Sequence, residues 1–370
     1  MRIAVVAPLF APLRPAQPYG PHAFLLDLAR ELDARGHAVA VYCAAGSAIP
    51  GVRLREVPVD PILRLSQAVT AAPEAGSGGR QAEPAAEVVA AAREAFGRVY
   101  AAIEADGAEV VSQHAFDAEA LELAGSVPVL HTLHLAPILA RVVRAAALSR
   151  APLAVVSEAA RRDWEAAGVP IAHVLRNGVR AWDPGHPAIE PVALLAGRIS
   201  PEKGTAAGIR AALRAGLRPR VVGEPYDRAY FEAEVVPLLD RVDLVPTLPR
   251  EALWREMARA AVTLMPIAGE EQFGLVAAEA QMAGCPLVGY RRGALPEVVE
   301  AGVSGFLVEP GDEDVLVDAI ERARALPREA ILASARRRLG LDAAVDGYEQ
   351  VLGALAVGQG VGDGDGDRSR

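Results

Sequence analysis

The chain contains 370 residues, of which 52% are hydrophobic and 23% charged, the proportions of an ordinary globular protein long enough to bury two cores. Its formal net charge of -9 argues against the basic surface that nucleic-acid binding requires. No stretch reaches the roughly twenty apolar residues that span a bilayer. The two cysteines, Cys43 and Cys285, form no disulfide framework, so a cytoplasmic location is expected.

A βαβ unit is predicted at the start of the chain. Its strands are Ile3–Ala7 and Ala38–Cys43, and a helix over Ala23–Ala34 connects them. The connection lacks the Gly-x-Gly-x-x-Gly fingerprint of dinucleotide-binding folds. No nicotinamide cofactor is therefore expected.

Three further segments of the first 150 residues are interpreted as one loop and two helices. Residues Ala71–Glu83 have no periodicity and predict a loop, and a helix follows over Ala86–Ala105. A second helix, Arg141–Arg150, carries three arginines that could contact a membrane surface. Because three charges attach a helix to a membrane only weakly, a solvated helix face is the favoured interpretation.

Two predicted strands end close to histidines. Glu109–Gln113 precedes His114, and Val127–Thr132 is followed by His134. His131 and His134 have a spacing that does not suit a helical metal pair, and no carboxylate or cysteine lies at ligand spacing, so no metal site is predicted. Polar residues at the edge of a sheet are the alternative interpretation.

The second half of the chain predicts a doubly wound parallel sheet. A strand at Leu153–Val156 leads to Ser157 as a helix cap, and a linker is predicted over Ala181–Pro191. The following strands are Val192–Ala196, Arg220–Val222, Asp243–Val245, Ala261–Ile267, Pro286–Gly289 and Gly305–Val308. A last helix, Leu341–Val357, precedes a Gly- and Asp-rich tail, residues 358–370, for which disorder is expected.

Lys203 is the only lysine among the 38 basic residues. It lies in the segment Gly197–Gly204, directly after a predicted strand. Lysine is a compact point charge and arginine a planar fork, so a lysine retained in an arginine-rich chain indicates a role that arginine does not fill. A chance of composition is the alternative.

The segment after Ala261–Ile267 combines an acidic loop with a helix predicted over Gln272–Met282. In a parallel sheet the crevice beyond the strand ends binds ligands, and the free amides of the helix start suit a phosphate. The amides concerned belong to Phe273, Gly274, Leu275 and Val276. Glu271 and Glu279 flank them at a spacing that lets both carboxylates reach one ligand; helix capping and solvation are the plainer interpretation of the pair.

This segment resembles the donor-binding half of the group 1, or family 4, glycosyltransferases. The resemblance rests on the eight-residue spacing of the two glutamates and on a set of short motifs. They are Phe273-Gly274, Ala283-Gly284-Cys285-Pro286, Gly293-Ala294-Leu295-Pro296-Glu297 and Gly302-Val303-Ser304-Gly305-Phe306. The resemblance covers nearly the whole chain and is strongest from Leu194 to Gly311.

The resemblance implies an α/β fold of the GT-B type, with two doubly wound Rossmann-like domains facing across a cleft. Residues 1–180 would form the acceptor-side domain and residues 192–340 the nucleotide-sugar donor domain, and the last helix would return to the first domain. Tyr19-Gly20-Pro21-His22 stands where the family carries a glycine-rich loop; Gly20 matches the first glycine, and Pro21, which lacks an N–H, departs at the second.

The resemblance also implies roles for individual residues. Arg198 and Lys203 would stabilise the leaving diphosphate, while Glu271 and His114 would orient the donor sugar. Glu279 would hold the ribose, and Thr132 and His134 would line the acceptor side of the cleft. The remaining donor-binding residues would be Gly20, Gln272, Phe273, Gly274, Leu275 and Val276.

The implied activity is transfer of a sugar from a nucleotide diphosphate donor to an acceptor hydroxyl with retention of configuration. No metal or cofactor is expected, because Arg198, Lys203 and the helix amides already supply positive potential. The acceptor is open: a glycan, a lipid or a small natural product. Two alternatives are a sugar-nucleotide epimerase with the same fold, which would need an acid/base pair, and a non-catalytic sugar-nucleotide binding module.

Overall fold

The structure, a computed structural model, describes residues 1–15, 20–63, 83–311 and 313–358. Nearly all of the predicted loop at residues 71–83 and all but the first residue of the predicted disordered tail lie outside these ranges. The described residues form two parallel sheets with helices on both faces. Among them, no helix is long and apolar enough to cross a membrane.

The first sheet has seven strands in the order β3-β2-β1-β4-β5-β6-β7 and the second has six in the order β10-β9-β8-β11-β12-β13. The strands of the first sheet are β1 Arg2–Val6, β2 Ala38–Ala44, β3 Leu54–Val57, β4 Val110–Gln113, β5 Val129–Leu133, β6 Leu153–Val155 and β7 His173–Val174. Those of the second are β8 Glu190–Ala196, β9 Arg218–Val222, β10 Asp243–Val245, β11 Ala260–Met265, β12 Leu287–Tyr290 and β13 Gly305–Val308. The predicted α/β class is confirmed.

Helices connect the strands and cover both sheets. Those of the first half are α1 Gly20–Ala34, α2 Ala86–Ala105, α3 Ala118–Glu122, α4 Ala140–Leu148 and α5 Glu158–Ala166. Those of the second half are α6 Thr205–Arg214, α7 Arg228–Tyr230, α8 Arg250–Arg259, α9 Leu275–Met282, α10 Leu295–Val298, α11 Glu313–Arg324, α12 Arg328–Leu339 and α13 Leu341–Gly358. The predicted cap of α5 is present, because the Ser157 hydroxyl accepts from the Ala160 amide at 2.9 Å.

The central strands are buried and mainly apolar because helices cover both faces of each sheet; β4 and β5 carry polar residues only towards their carboxyl ends. In β1, Ile3 and Val5 pack into one core while Ala4 and Val6 pack into the core on the other face. In β8, Val192 and Leu194 alternate in the same way with Ala193 and Leu195. Successive side chains of a strand point to opposite faces, so one apolar run supplies two cores.

The two halves of the chain are connected twice. The chain leaves the first sheet through Val179, whose amide donates to Leu339 at 2.9 Å, and it returns through Leu341, whose amide donates to Val179 at 3.0 Å. Helix α13 then packs on the first sheet, with Val345 and Tyr348 in its core. Arg35 of the first half donates to Glu349 of α13 at 2.9 Å.

Two details of the sequence interpretation are wrong. Helix α9 begins at Leu275 rather than at Gln272, because Gly274 adopts a left-handed φ of 92° that ends any helix on its amino side. Strands β3 and β7 were not predicted. They are short edge strands whose residues are half polar or only partly buried, so they lack the apolar run of a central strand.

Candidate functional site

The strand order reverses beside β1 in the first sheet and beside β8 in the second. Ligands of doubly wound sheets bind outside the carboxyl ends of the strands at such points. In the second sheet, β8 leads to Arg198 and Lys203, and its neighbour β11 leads to Glu271 and α9. In the first sheet, the corresponding segments lead to α1 and to His114. Most of the predicted site residues therefore lie at the two reversal points.

Lys203 ends a one-turn helix, Pro201–Lys203, immediately after β8. Its ammonium donates to Glu271 Oε2 at 2.8 Å. Gly204, which follows, has a φ of 66°, and a Cβ there would overlap the Pro266 carbonyl oxygen. The turn therefore requires glycine, and it holds the one lysine of the chain against the acidic loop.

Glu271 carries its charge in a largely buried position, with 18% of its side chain exposed. Burial by itself would raise the pKa of this carboxyl, but the Lys203 ammonium and the backbone amides of Gly274 and Phe273 lower it further than burial raises it. Two of the amides predicted to face a phosphate are thus bonded to the protein's own carboxylate. Leu275 and Val276 form the first turn of α9.

The first turns of α1 and α9 meet across the cleft. Gly20 opens α1, and a Cβ at that position would lie 2.9 Å from Leu275 Cδ1 at the start of α9. Both helix starts therefore line the same space. The positive ends of two helix dipoles and their unpaired amides favour an anion there.

A cavity of about 520 Å³ begins at these helix starts and follows the cleft between the two sheets. Such a volume is typical of small-molecule sites. Of the predicted residues, it is lined by Gly20, Arg198, Leu275, Val276 and Glu279. Lys203 and Glu271 are not part of this lining.

Arg198 lies at the second-sheet wall of the cavity. Its guanidinium stacks over the Tyr226 ring, with Cζ 4.5 Å from the ring centroid, and lies 3.5 Å from Glu202 Oε1. The ring and the Glu202 carboxylate together hold the guanidinium at the cavity wall. Tyr226 and the ends of β9 and β10 complete this end of the cavity, and the sequence interpretation did not include them.

Glu279 is 7% exposed and paired with a residue that the sequence interpretation missed. Arg250 Nε donates to Glu279 Oε1 at 2.5 Å, while Arg250 Nη1 bonds to Asp27 of α1. Burial lowers the pKa of Arg250, but the two carboxylates raise it by more, so the guanidinium stays charged. The sequence contained one indication that Asp27 has a special role, because it is a charged residue within the apolar run of α1.

Gln272 has contacts of a different kind from those predicted. Its carbonyl accepts from the Ser157 hydroxyl at 2.6 Å, and its side chain donates to Asp163 at 3.2 Å. Both partners belong to the first half of the chain, as does α5, whose first amides donate to Glu297. Gln272 therefore joins the two halves and does not line the cavity.

Two of the histidines predicted to belong to the site, His114 and His134, are buried behind the cleft. His114 is 0% exposed, and its two ring nitrogens lie 2.9 Å from Ser112 Oγ and 2.8 Å from His134 Nε2. Burial, reinforced by His134, lowers the pKa of His114 well below its usual value, so the ring is neutral at pH 7. Thr132 Oγ1 lies 3.3 Å from the Tyr348 hydroxyl of α13.

His134 is the member of this group that meets open space. Together with Phe116, Leu133 and Trp164 it lines a small apolar cavity of about 20 Å³, enough for about one water molecule. Burial lowers the pKa of His134 to about 3. Among the described residues, no group of three or more His, Cys, Asp or Glu side chains could hold a metal ion.

Comparison with known proteins finds a family match for the second half of the chain. Residues 181–339 match the family described as Glycosyl transferases group 1. The matched segment, somewhat less than half of the chain, is thus similar to the group 1 glycosyltransferases.

Two curated members of this family illustrate the extent of the match. The D-inositol 3-phosphate glycosyltransferase of Thermobifida fusca is 35% identical over 151 residues, covering 36% of this chain and 35% of that protein. The enzyme of the same name from Mycobacterium bovis is 32% identical over 199 residues, covering 50% of this chain and 41% of that protein. The chain thus aligns with less than half the length of these relatives.

Solved glycosyltransferase structures share the fold of the whole chain. Anabaena HepE in complex with UDP-glucose superposes with a TM-score of 0.71 at 19% identity, covering 96% of this chain and 100% of that one. Sucrose-phosphate synthase from Thermosynechococcus elongatus superposes with a TM-score of 0.75 at 19% identity, covering 96% and 99%. The GT-B architecture predicted from the sequence is confirmed.

Proposed function

We propose that this group 1 glycosyltransferase chain transfers a sugar from a nucleoside diphosphate sugar to an acceptor hydroxyl, with retention of configuration and without a metal ion. The observation that carries the proposal is the meeting of the α1 and α9 starts, at Gly20 and Leu275, over the cavity that Arg198 and Glu279 line. An anion site with a cation on one side and a carboxylate farther along suits a diphosphate joined to a ribose.

The same arrangement supports departure of the diphosphate as the difficult step. As the glycosidic C–O bond breaks, negative charge develops on the phosphate oxygens and positive charge on the sugar ring. The helix starts, Arg198 and Lys203 would stabilise the developing negative charge in a site that requires little reorganisation. Lys203 donates one N–H to Glu271, and an ammonium has two more N–H groups for the leaving group.

The sugar would lie beside Glu271, whose carboxylate is kept ionised by Lys203. His114 has both ring nitrogens engaged within the protein. We therefore propose that it acts by holding His134, which lines the small apolar cavity, and that His134 and Thr132 belong to the acceptor side. The boundaries predicted for the two domains, with a linker at residues 181–191, and the cytoplasmic location remain proposals.

The donor class receives support from Anabaena HepE, which was solved with UDP-glucose. The acceptor is not identified in the same way, because the chain aligns with less than half the length of the curated relatives. A glycan, a lipid and a small natural product remain the classes to be compared.

A two-stage experiment tests the proposal. Thermal shift with UDP-glucose, UDP-galactose, GDP-mannose and other nucleotide sugars, in the presence of EDTA, should identify a donor that raises the melting temperature by mass action. Incubation with that donor and an acceptor should then release the nucleoside diphosphate. Incubation with the donor alone should leave the stereochemistry of its sugar unchanged. Conversion of the donor alone into an epimeric sugar nucleotide would indicate an epimerase. A donor that binds but is not turned over with any acceptor of a panel would indicate a binding module.

A further inference from the structure

Arg250 connects two buried carboxylates that face each other across the cleft. It opens α8, and its Nε and Nη1 groups bond to Glu279 of α9 and to Asp27 of α1, respectively. Asp27 is 4% exposed, Glu279 is 7% exposed and the Arg250 side chain is 18% exposed. All three line the donor cavity. One guanidinium therefore holds the carboxylate assigned to the ribose and ties it to the opposite half.

The third nitrogen of this guanidinium is unsatisfied. Arg250 Nη2 is buried and has no hydrogen-bond partner among the residues that the structure describes. A buried N–H group without a partner loses its hydration and gains nothing in return, so it needs an explanation, and in the wall of a cavity a ligand that accepts from it is one. The two neighbouring carboxylates bond to Nε and Nη1 instead.

The position of Arg250 indicates which part of a donor would meet it. Glu279 comes four residues after Leu275, or about 6 Å along the axis of α9, so it lies beyond the diphosphate site on the nucleoside side. A ribose hydroxyl both donates and accepts a hydrogen bond. The Glu279 carboxylate can only accept and the Arg250 guanidinium can only donate, so the two side chains together match one hydroxyl group.

We propose that Arg250 is a positioning residue of the donor site, which fixes Glu279 from the side and donates Nη2–H to the oxygen of the ribose 2′-hydroxyl. The inference rests on the proposed function, because it takes the ribose to lie against Glu279. It adds a reason for selection of ribonucleotides over 2′-deoxyribonucleotides. It also gives the first half of the chain a part in nucleoside binding, since Asp27 anchors the guanidinium.

Titration calorimetry with UDP and 2′-deoxy-UDP, and with GDP and 2′-deoxy-GDP, tests the inference. The wild-type protein should bind its preferred ribonucleotide at least about tenfold more tightly than the deoxy form, the loss expected when a charged donor is left unpaired. In Arg250→Gln this ratio should fall to within about twofold. Arg250→Lys keeps a cation between the carboxylates, so it should fold, but it lacks the fork that reaches three partners and should also lose the ratio.

Arg180 supplies a matched control. Its Cζ lies 4.8 Å from the centroid of the Trp254 ring, the same distance as that of Arg250, and it lines the same cavity, but it pairs with Glu251. Arg180→Gln should leave the ratio of ribo to deoxy affinity unchanged. Circular dichroism and melting temperatures establish that each variant folds.

The outcomes separate the two proposals. If both Arg250 variants weaken the ribo and deoxy forms equally, Arg250 only supports the fold and the inference is overturned. If the wild-type protein binds UDP or GDP without discriminating against the deoxy form, the contact to the 2′-hydroxyl is refuted while the donor class stands. If it binds neither nucleotide, nor any other nucleoside diphosphate, the proposed function itself fails.

Discussion

Lys203 allows the proposed chemistry of the donor site to be tested at one side chain. It is the only lysine of the chain and pairs with Glu271 at 2.8 Å. Lys203→Arg keeps the charge but replaces a compact ammonium by a planar fork that prefers to engage Glu271 with two bonds. We expect kcat to fall by roughly tenfold or more with a smaller change in donor affinity, because charge develops on the leaving group only in the transition state.

Lys203→Met should lose still more activity, since Glu271 then lacks its cation. Steady-state kinetics of both variants measure the effect, and circular dichroism controls for folding. An arginine variant with wild-type turnover would contradict the prediction and leave Arg198 as the cation at the diphosphate.

Glu279 supports a second prediction at the residue scale. Glu279→Gln removes a charged acceptor from the ribose and from Arg250, and hydrogen bonds to charged groups are worth about 1.5–3 kcal/mol. Affinity for the free nucleoside diphosphate should fall by roughly ten- to a hundredfold in calorimetry. Glu256→Gln is the control: Glu256 pairs with Arg220 and is 22% exposed, and it does not line the cavity, so stability should fall without loss of affinity.

At the scale of elements, the site depends on how closely two helix starts approach each other. Gly20→Ala adds a Cβ 2.9 Å from Leu275 Cδ1, so either the helices separate or the leucine moves into the cavity. Overpacking of this kind costs about 1–3 kcal/mol, at least as much as the roughly 1 kcal/mol by which alanine favours a helix, so nucleotide affinity should fall and the melting temperature should not rise.

Gly97→Ala in α2 is the matched control, since a Cβ there meets nothing within 4 Å. It should leave nucleotide affinity unchanged and hold or raise the melting temperature. Equal affinities of the Gly20 variant and the wild-type protein would show that the two helix starts do not jointly bind the diphosphate.

At the scale of the whole molecule, a group of buried histidines makes stability depend on pH. Burial lowers the pKa of His22 to about 4 and that of His131 and His134 to about 3. In the unfolded chain these groups titrate near 6.5. Between these values the unfolded state binds more protons, so stability is complete above about pH 6.5 and is lost progressively as pH falls towards the folded pKa values.

His131→Gln isolates one of these contributions. Gln keeps a polar group near Gln113, which lies 3.3 Å from His131 Nδ1, but it does not titrate. Between about pH 4.5 and 5.5 the free energy of unfolding of the variant should fall less steeply, by up to about 1.4 kcal/mol per pH unit. Denaturant melts at several pH values measure the slopes, and parallel profiles would refute a neutral buried His131.

The balance of charge in the cleft leads to the last prediction. We expect the two helix starts, Arg198 and Lys203 to supply enough positive potential at the proposed diphosphate site that no divalent ion is needed. Turnover should be the same in EDTA as in magnesium or manganese. Activity lost in the chelator and restored by either ion would count against the diphosphate assignment.

The sequence alone determined the features that depend on local periodicity and spacing. Mainly apolar runs predicted the central strands, because strands covered on both faces are buried along most of their length. The two glutamates and the motifs around α9 predicted a donor-binding half. These signals are contained in neighbouring residues, and the family match over residues 181–339 agrees with them.

Only the tertiary structure decided which of these residues meet. Gln272 contacts Ser157 and Asp163 instead of the cavity, His114 is turned inward to Ser112 and His134, and Arg250 joins Glu279 to Asp27. Asp27 and Arg250 are 223 residues apart in sequence. Helical or strand periodicity states which face of an element is buried but not which element covers it, so contacts across the cleft arise only when the two sheets are packed together.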